Sequence, residues 1–224
     1  MTWDWGYAVE ILPKLLEGLR LTLVITVLAS LIALVLGFLL AFVIHRKIPV
    51  LRQVAKVYVQ VVRNTPLLVQ LYLFFFALPQ FGISISPVTS GVIVLGAQAA
   101  SYMSEIYRAG IEAVPAEQWD ASVALNLPTR RTWIRVVLPQ AIPPILPALG
   151  NSVNEMLKLT AYAAAIGVVE LFGQGLRVAE LSYQYLVPFT IVGVLYLIMS
   201  VSITVLLRRL ELRNASRKSS WATV

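Results

Sequence analysis

Four polar residues inside an otherwise apolar run are the first place in this chain where chemistry could be carried. Asn151, Asn154, Glu155 and Lys158 stand at i, i+3, i+4 and i+7, a spacing that sets them on one helical face. A charged side chain at membrane depth costs roughly 2.5–3.5 kcal/mol even on the most lenient scale, so such residues face a bundle interior or a water-filled path. Two readings of the face stand open. It lines a pathway whose acid and base would suit the ammonium and carboxylate of a zwitterion, or Glu155 and Lys158 neutralise each other while the asparagines bond to other helices. A second candidate is Arg63-Asn64-Thr65-Pro66, whose plainer reading is a proline-kinked helix with a snorkelling arginine.

Catalysis finds little support. The chain has no cysteine, which removes disulfides, thiolate metal sites and thiol nucleophiles. Its single histidine, His45, ends an apolar run beside Arg46 and Lys47, where a polar residue at the membrane edge is the plain reading and a metal site would be unusual. Neither a Gly-x-Ser-x-Gly nor a Gly-x-x-x-x-Gly-Lys-[Ser/Thr] motif occurs, so a serine-hydrolase elbow and a P-loop are both excluded. If the chain moves a solute uphill, the energy comes from another subunit. No cofactor is expected in it. An intramembrane enzyme and a secondary transporter are the rival classes; the first lacks catalytic pairs, and the second would show an inverted repeat that the hydrophobic pattern lacks.

The elements that must hold these residues are hydrophobic spans. Of 224 residues 58% are hydrophobic and 13% charged, about half the charged share of a soluble domain, so the expected fold is an all-α integral membrane protein. The pattern predicts one transmembrane domain over 1–224 with five transmembrane helices at about 15–44, 54–78, 88–106, 142–165 and 187–207. Trp3, Trp5 and Tyr7 read as interfacial anchors before the first span. The third span is small and polar, with Gly91, Gly96, Gln98, Ser101 and Ser104, and Glu105 and Arg108 close it as a pair. Prolines 139, 143, 144 and 147 enter the fourth span; 167–175 reads as a break and 176–185 as a short outer helix. The tail 208–224 is basic, with a disordered end.

One stretch, 110–139, is neither span nor tail. Pro115 stands at a first helical position, Glu117 and Asp120 put acid near the N-terminus, and Trp119, Val123 and Leu127 form a narrow apolar stripe. Asn126 stands where a left-handed C-terminal residue would, and Pro128 forbids continuation and starts a second helix towards Pro139. A short amphipathic helix between two spans is built to be held by something else. The net charge of +7 would suggest nucleic acid in a soluble chain, but here the basic residues flank apolar spans, and the anionic cytoplasmic leaflet is the plainer partner. With five spans and a cytoplasmic C-terminus, fourteen of the 18 lysines and arginines fall inside, which places 110–139 in the cytoplasm and the N-terminus outside.

Leu16-Glu-Gly-Leu-Arg-Leu-Thr22, Arg63-Asn-Thr-Pro-Leu-Leu-Val-Gln70, Tyr102-Met-Ser-Glu-Ile-Tyr-Arg-Ala-Gly-Ile111, Leu138-Pro-Gln-Ala141 and Ile166-Gly-Val-Val-Glu-Leu171 occur in this order. Together they resemble the membrane-spanning permease subunits of bacterial ABC importers for polar amino acids and opines, over nearly the whole chain. The resemblance implies a type I importer permease in the bacterial inner membrane. It implies two copies of a separate ATPase, which binds the ATP, a second permease (a copy or a sister chain) and an extracytoplasmic solute-binding protein. It makes 110–139 the cytoplasmic coupling loop, with Glu117, Trp119, Asp120, Ala121, Ser122, Leu125 and Asn126 meeting the ATPase. The family pattern there is Glu-Ala-Ala, three residues, Gly; Asp120, Ala121, Ser122 and Asn126 are conservative departures. Pro128 replaces a frequent Ser or Thr, and Leu159-Thr160-Ala161-Tyr162 replaces a more polar run after Lys158, which would shift the solute if that segment touches it. Trp3-Asp-Trp5 and Ile11-Leu-Pro-Lys14 resemble the ectoine-importing branch, so a compatible solute is the alternative cargo.

Overall fold

The computed structural model describes residues 3–46 and 48–219, and its regular elements there are all helical. Helix α1 (Trp5–His45) begins at an Asp4 N-cap, whose carboxylate accepts the Tyr7 N–H at 3.1 Å. The helix therefore takes in Trp5 and Tyr7, expected ahead of the span. It is followed by α2 (Pro49–Asn64), α3 (Leu67–Tyr72), α4 (Pro87–Glu112), α5 (Ala116–Ala124), α6 (Thr129–Thr132), α7 (Leu138–Leu159), α8 (Leu171–Ser182) and α9 (Leu186–Ser219).

The bundle is built on α1 against α4, the most extensive packing in the chain. Ile25, Ala29, Ala33 and Ala41 of α1 and Leu95, Ala99 and Met103 of α4 are buried in one core at helical spacing. Lipid tails are as apolar as leucine, so close van der Waals approach has to hold such helices together. Gly96 and Gly37 supply it: a Cβ at Gly96 would lie 2.8 Å from Ile32 Cβ, and one at Gly37 2.9 Å from Met103 Cβ. The small residues expected of the third span thus pack against the first. α4 continues to Glu112, past the expected end near 106. A second core joins Ile11 and Leu15 of α1 to Leu171 and Val178 of α8 and Val187 and Val192 of α9.

Prolines decide where the helices deform. The stretch expected as one kinked span over 54–78 is two pieces, Pro49–Asn64 and Leu67–Phe81, meeting at 110° across Thr65 and Pro66. A π turn at Leu73–Ala77 precedes Pro79, and another at Trp133–Val137 precedes Pro139. In both, the carbonyl four residues before the proline, which its ring would strike in a regular α-helix, lies in the widened turn. The second π turn lets α6 run on into α7, so the helix expected after Pro128 and the fourth span are one continuous rod, Thr129–Ile166. Pro115 and Pro128 are N-caps rather than first helical residues. The break after α7 is also shorter than expected: a 3₁₀ segment reaches Ile166, Gly167 turns at φ 86°, and α8 is already helical from Leu171.

Three helices, Trp5–His45, Thr129–Ile166 and Leu186–Arg209, are long and apolar enough to cross a membrane, and the bent pair brings the number to four if it is one span. The remaining expected span, the third, is α4, which is as long as needed but less apolar. α9 carries the expected tail as helix to Ser219; the disordered end expected beyond it lies outside the described residues.

Candidate functional site

The polar face of α7 divides. Asn154 turns towards α9: its Nδ2 donates to Thr204 Oγ1 at 3.1 Å, and Ser200 Oγ donates to its Oδ1 at 3.0 Å. Asn151, Glu155 and Lys158 are exposed, and no ion pair joins Glu155 to Lys158 among the described residues. One asparagine therefore bonds a neighbouring helix, while Glu155 and Lys158 stand exposed and apart from each other. Glu155 opens onto a cavity of about 200 Å³ with Ser152 and Leu159 of α7 and Gln98, Ala99 and Tyr102 of α4. Gln98 and Tyr102 were not singled out as site residues by sequence reading; only the crossing of α4 on α7 brings them to Glu155.

Tyr102 connects this cavity to the break after α2. The Arg63 guanidinium sits 5.2 Å from the Tyr102 ring centroid, a cation–π contact. Asn64 and Thr65 do something else. Asn64 Nδ2 donates to the Gln60 carbonyl at 2.7 Å and Thr65 Oγ1 to the Val61 carbonyl at 2.9 Å. Gln70 Nε2 spans the bend to the Val62 carbonyl at 2.8 Å and to Thr65. These groups satisfy the carbonyls that the end of α2 would leave orphaned. Of the three candidates in this motif, Arg63 is the one placed beside the cavity.

The short helix α5 is held by aromatic packing at one end of the bundle. Trp119 stacks on His45 at the C-terminus of α1, with ring centroids 5.3 Å apart and planes at 25°. Trp133 meets Trp119 edge-on at 5.6 Å and Phe42 at 4.9 Å. His45 is thus part of the seat of α5. The expected stripe of Trp119, Val123 and Leu127 is not one face: Trp119 packs inward, and Val123 is 75% exposed. Ser122 is buried and donates to the Gln118 carbonyl at 2.8 Å. Glu117, Asp120, Ala121, Leu125 and Asn126 are exposed, Leu125 at 71%. The C-terminus is a Schellman turn, with the Leu127 N–H on the Ser122 carbonyl at 3.0 Å and the Asn126 N–H on the Val123 carbonyl at 2.9 Å. Asn126 has φ 49°, the left-handed conformation its position predicts.

Glu170 is the group sequence reading missed. It is fully buried, caps α8 by accepting the Gly173 N–H at 2.8 Å, and accepts hydroxyls from Thr22 and Tyr196, each at 2.9 Å. One carboxylate thereby ties α1, α8 and α9. A glutamate just before a helix signals the cap, but its partners lie 148 and 26 residues away and leave no local trace. Among the described residues no group of three His, Cys, Asp or Glu could hold a metal.

Residues 33–216 match the family described as binding-protein-dependent transport system inner membrane component. A probable amino-acid ABC transporter permease protein of Sinorhizobium fredii is 36% identical, covering 96% of this chain and 96% of its own. The glutamine transport system permease protein of Escherichia coli K12 is 34% identical over 95% of this chain and 98% of its own. Among solved structures, a chain from an amino acid ABC transporter crystallised with histidines superposes with a TM-score of 0.87 at 38% identity, covering 95% of this chain and 100% of the other.

Proposed function

Since this chain belongs to the family of binding-protein-dependent transport system inner membrane components, we propose that it translocates an amino acid across the inner membrane as the permease subunit of an ABC importer. It is a transport component and not an enzyme, and an ATPase of the ABC type is its partner. The relatives named for amino acids favour that cargo over ectoine.

α5 couples transport to ATP hydrolysis. The carrying observation is the division of this helix: Trp119 is seated on His45 and Trp133, while Val123, Leu125 and Asp120 point away from the bundle. A helix seated on one side and open on the other can pass a push from an ATPase to α1 and to the rod Thr129–Ile166. Exposed apolar residues such as Val123 and Leu125 are what a partner's groove covers. Glu155 and Lys158, with Gln98, Tyr102 and Arg63, line the path of a zwitterionic solute. A second permease closes that path from its open side, and a solute-binding protein delivers the amino acid to the opposite end. The N-terminus lies outside, the C-terminus inside, and α4 with the bent pair completes five spans.

Two experiments test this. The chain should co-purify with an ABC ATPase whose hydrolysis rises with amino-acid-loaded binding protein; a chain that transports with no such subunit is a secondary transporter. Because the chain lacks cysteine, Ser84→Cys should label from outside and Ser219→Cys from inside. Labelling of both from one side refutes the five-span topology.

A further inference from the structure

α2 is turned inside out for a helix at the edge of a bundle. Its exposed stripe is apolar: Val50, Val54, Val57 and Val61 are each more than half exposed. Its cations, Arg52, Lys56 and Arg63, line a cavity of about 700 Å³ between α2, the end of α1 and α4. That volume falls within the roughly 300–1,000 Å³ of small-molecule sites. The cavity lies at the end of the bundle where α5 docks, since His45 lines it and also carries Trp119.

The acids across the cavity do not balance these cations. Glu105 and Glu112 both lie on α4 and both are taken by Arg108, at 2.5 and 2.8 Å. Among the described residues Arg52, Lys56 and Arg63 form no ion pair. Arg52 Nε is buried with no hydrogen-bond partner among them. A buried charged donor left unmade is costly, and three like charges around one cavity repel one another, with only Arg63 resting on a ring, that of Tyr102. An anion entering between them would relieve both terms, with Gln60 as a further donor on the same wall.

We propose that this cavity is a binding site for a phosphate group, and that its source is the headgroup of an anionic phospholipid. The apolar outer face of α2 places the site beside hydrocarbon. An acyl chain can therefore lie in the groove formed by Pro49, Val50, Val54 and Val57, with its phosphate reaching Arg52 and Lys56. The occupied site would brace α2 against the seat of α5.

The test uses the full chain, purified in detergent and exposed to phosphatidylglycerol, phosphatidylcholine or inorganic phosphate, with bound species read by native mass spectrometry. Phosphatidylglycerol should be retained in preference to phosphatidylcholine. At about fivefold per cation, Arg52→Gln with Lys56→Gln should weaken retention roughly thirtyfold. Arg52→Lys and Lys56→Arg should restore it, and Arg177→Gln on α8 should not change it. Thermal unfolding of each variant reports whether the fold is kept, and the charge-conserving pair covers a double glutamine variant that fails to fold. Inorganic phosphate that binds and is lost in the double variant, with no preference between the two lipids, keeps the phosphate site but gives it a soluble source. Equal retention of both lipids together with no phosphate binding overturns the proposal, and so does undiminished phosphatidylglycerol retention in a folded double variant.

Discussion

Two sets of substitutions on α5 should separate its seating from its coupling. Trp119→Ala removes the ring that stacks on His45 and meets Trp133 edge-on. A buried tryptophan cut to alanine costs roughly 3–5 kcal/mol. Trp119 is only half-buried, so about half that range applies, including roughly 0.5–1.5 kcal/mol for each aromatic pair. A loss near 2 kcal/mol should lower the thermal midpoint of the purified chain by about 4–8 °C for a protein of this size. Val123→Ser with Leu125→Ser should behave oppositely. These side chains are 75% and 71% exposed, so the isolated chain should keep its midpoint. Fully burying a valine or leucine is worth roughly 1.5–3 kcal/mol. If an ATPase groove covers about half of each, losing both costs roughly 2 kcal/mol, or about thirtyfold in association. Thermal unfolding of the chain alone and ATP hydrolysis by the reconstituted complex, stimulated by loaded binding protein, read the two effects separately. Full stimulation in the Val123 and Leu125 double variant would refute the outward face as the coupling surface. An unchanged midpoint in Trp119→Ala would refute the aromatic seat.

Other perturbations follow from the same geometry. Asn126→Val should disfavour the left-handed turn by roughly 1–2 kcal/mol and lower stimulated ATP hydrolysis, while Asn126→Gly should be tolerated; equal activity in both would remove the turn from the coupling path. Exchanging Glu155→Lys with Lys158→Glu should abolish uptake in proteoliposomes while assembly and basal hydrolysis persist, because the order of charges along an oriented zwitterion is inverted; normal uptake would return both residues to a structural role. Glu170→Ala should strip the Thr22 and Tyr196 hydroxyls and the Gly173 N–H of their acceptor and cost roughly 3 kcal/mol in thermal unfolding, with Glu170→Gln milder; equal loss in both would mean that charge, not hydrogen bonding, holds the three helices.

Much of this protein was legible in order. The apolar runs and the lysines and arginines that flank them follow from composition along the chain. The acid in the first turn of α5 and the left-handed Asn126 follow from local backbone preference, which acts within a few residues. Proline positions were legible as deformations, but their outcome was not. Whether Pro66 gives a slight kink or a 110° turn depends on what the freed carbonyls meet. Here they meet Asn64, Thr65 and Gln70.

Helical periodicity states which residues share a face, never which way the face turns. Thus the chain alone determined that Asn151, Asn154, Glu155 and Lys158 are neighbours. It left to α9 the capture of Asn154, and to α4 the provision of Gln98 and Tyr102 beside Glu155. In the same way it identified Trp119 as apolar, but only the end of α1 and the π turn at Trp133 made it an anchor rather than part of the outward surface. Glu170 marks the far limit. Its three bonds draw on α1, α8 and α9, and the free energy of burying a carboxylate is settled only when all of its partners are in place.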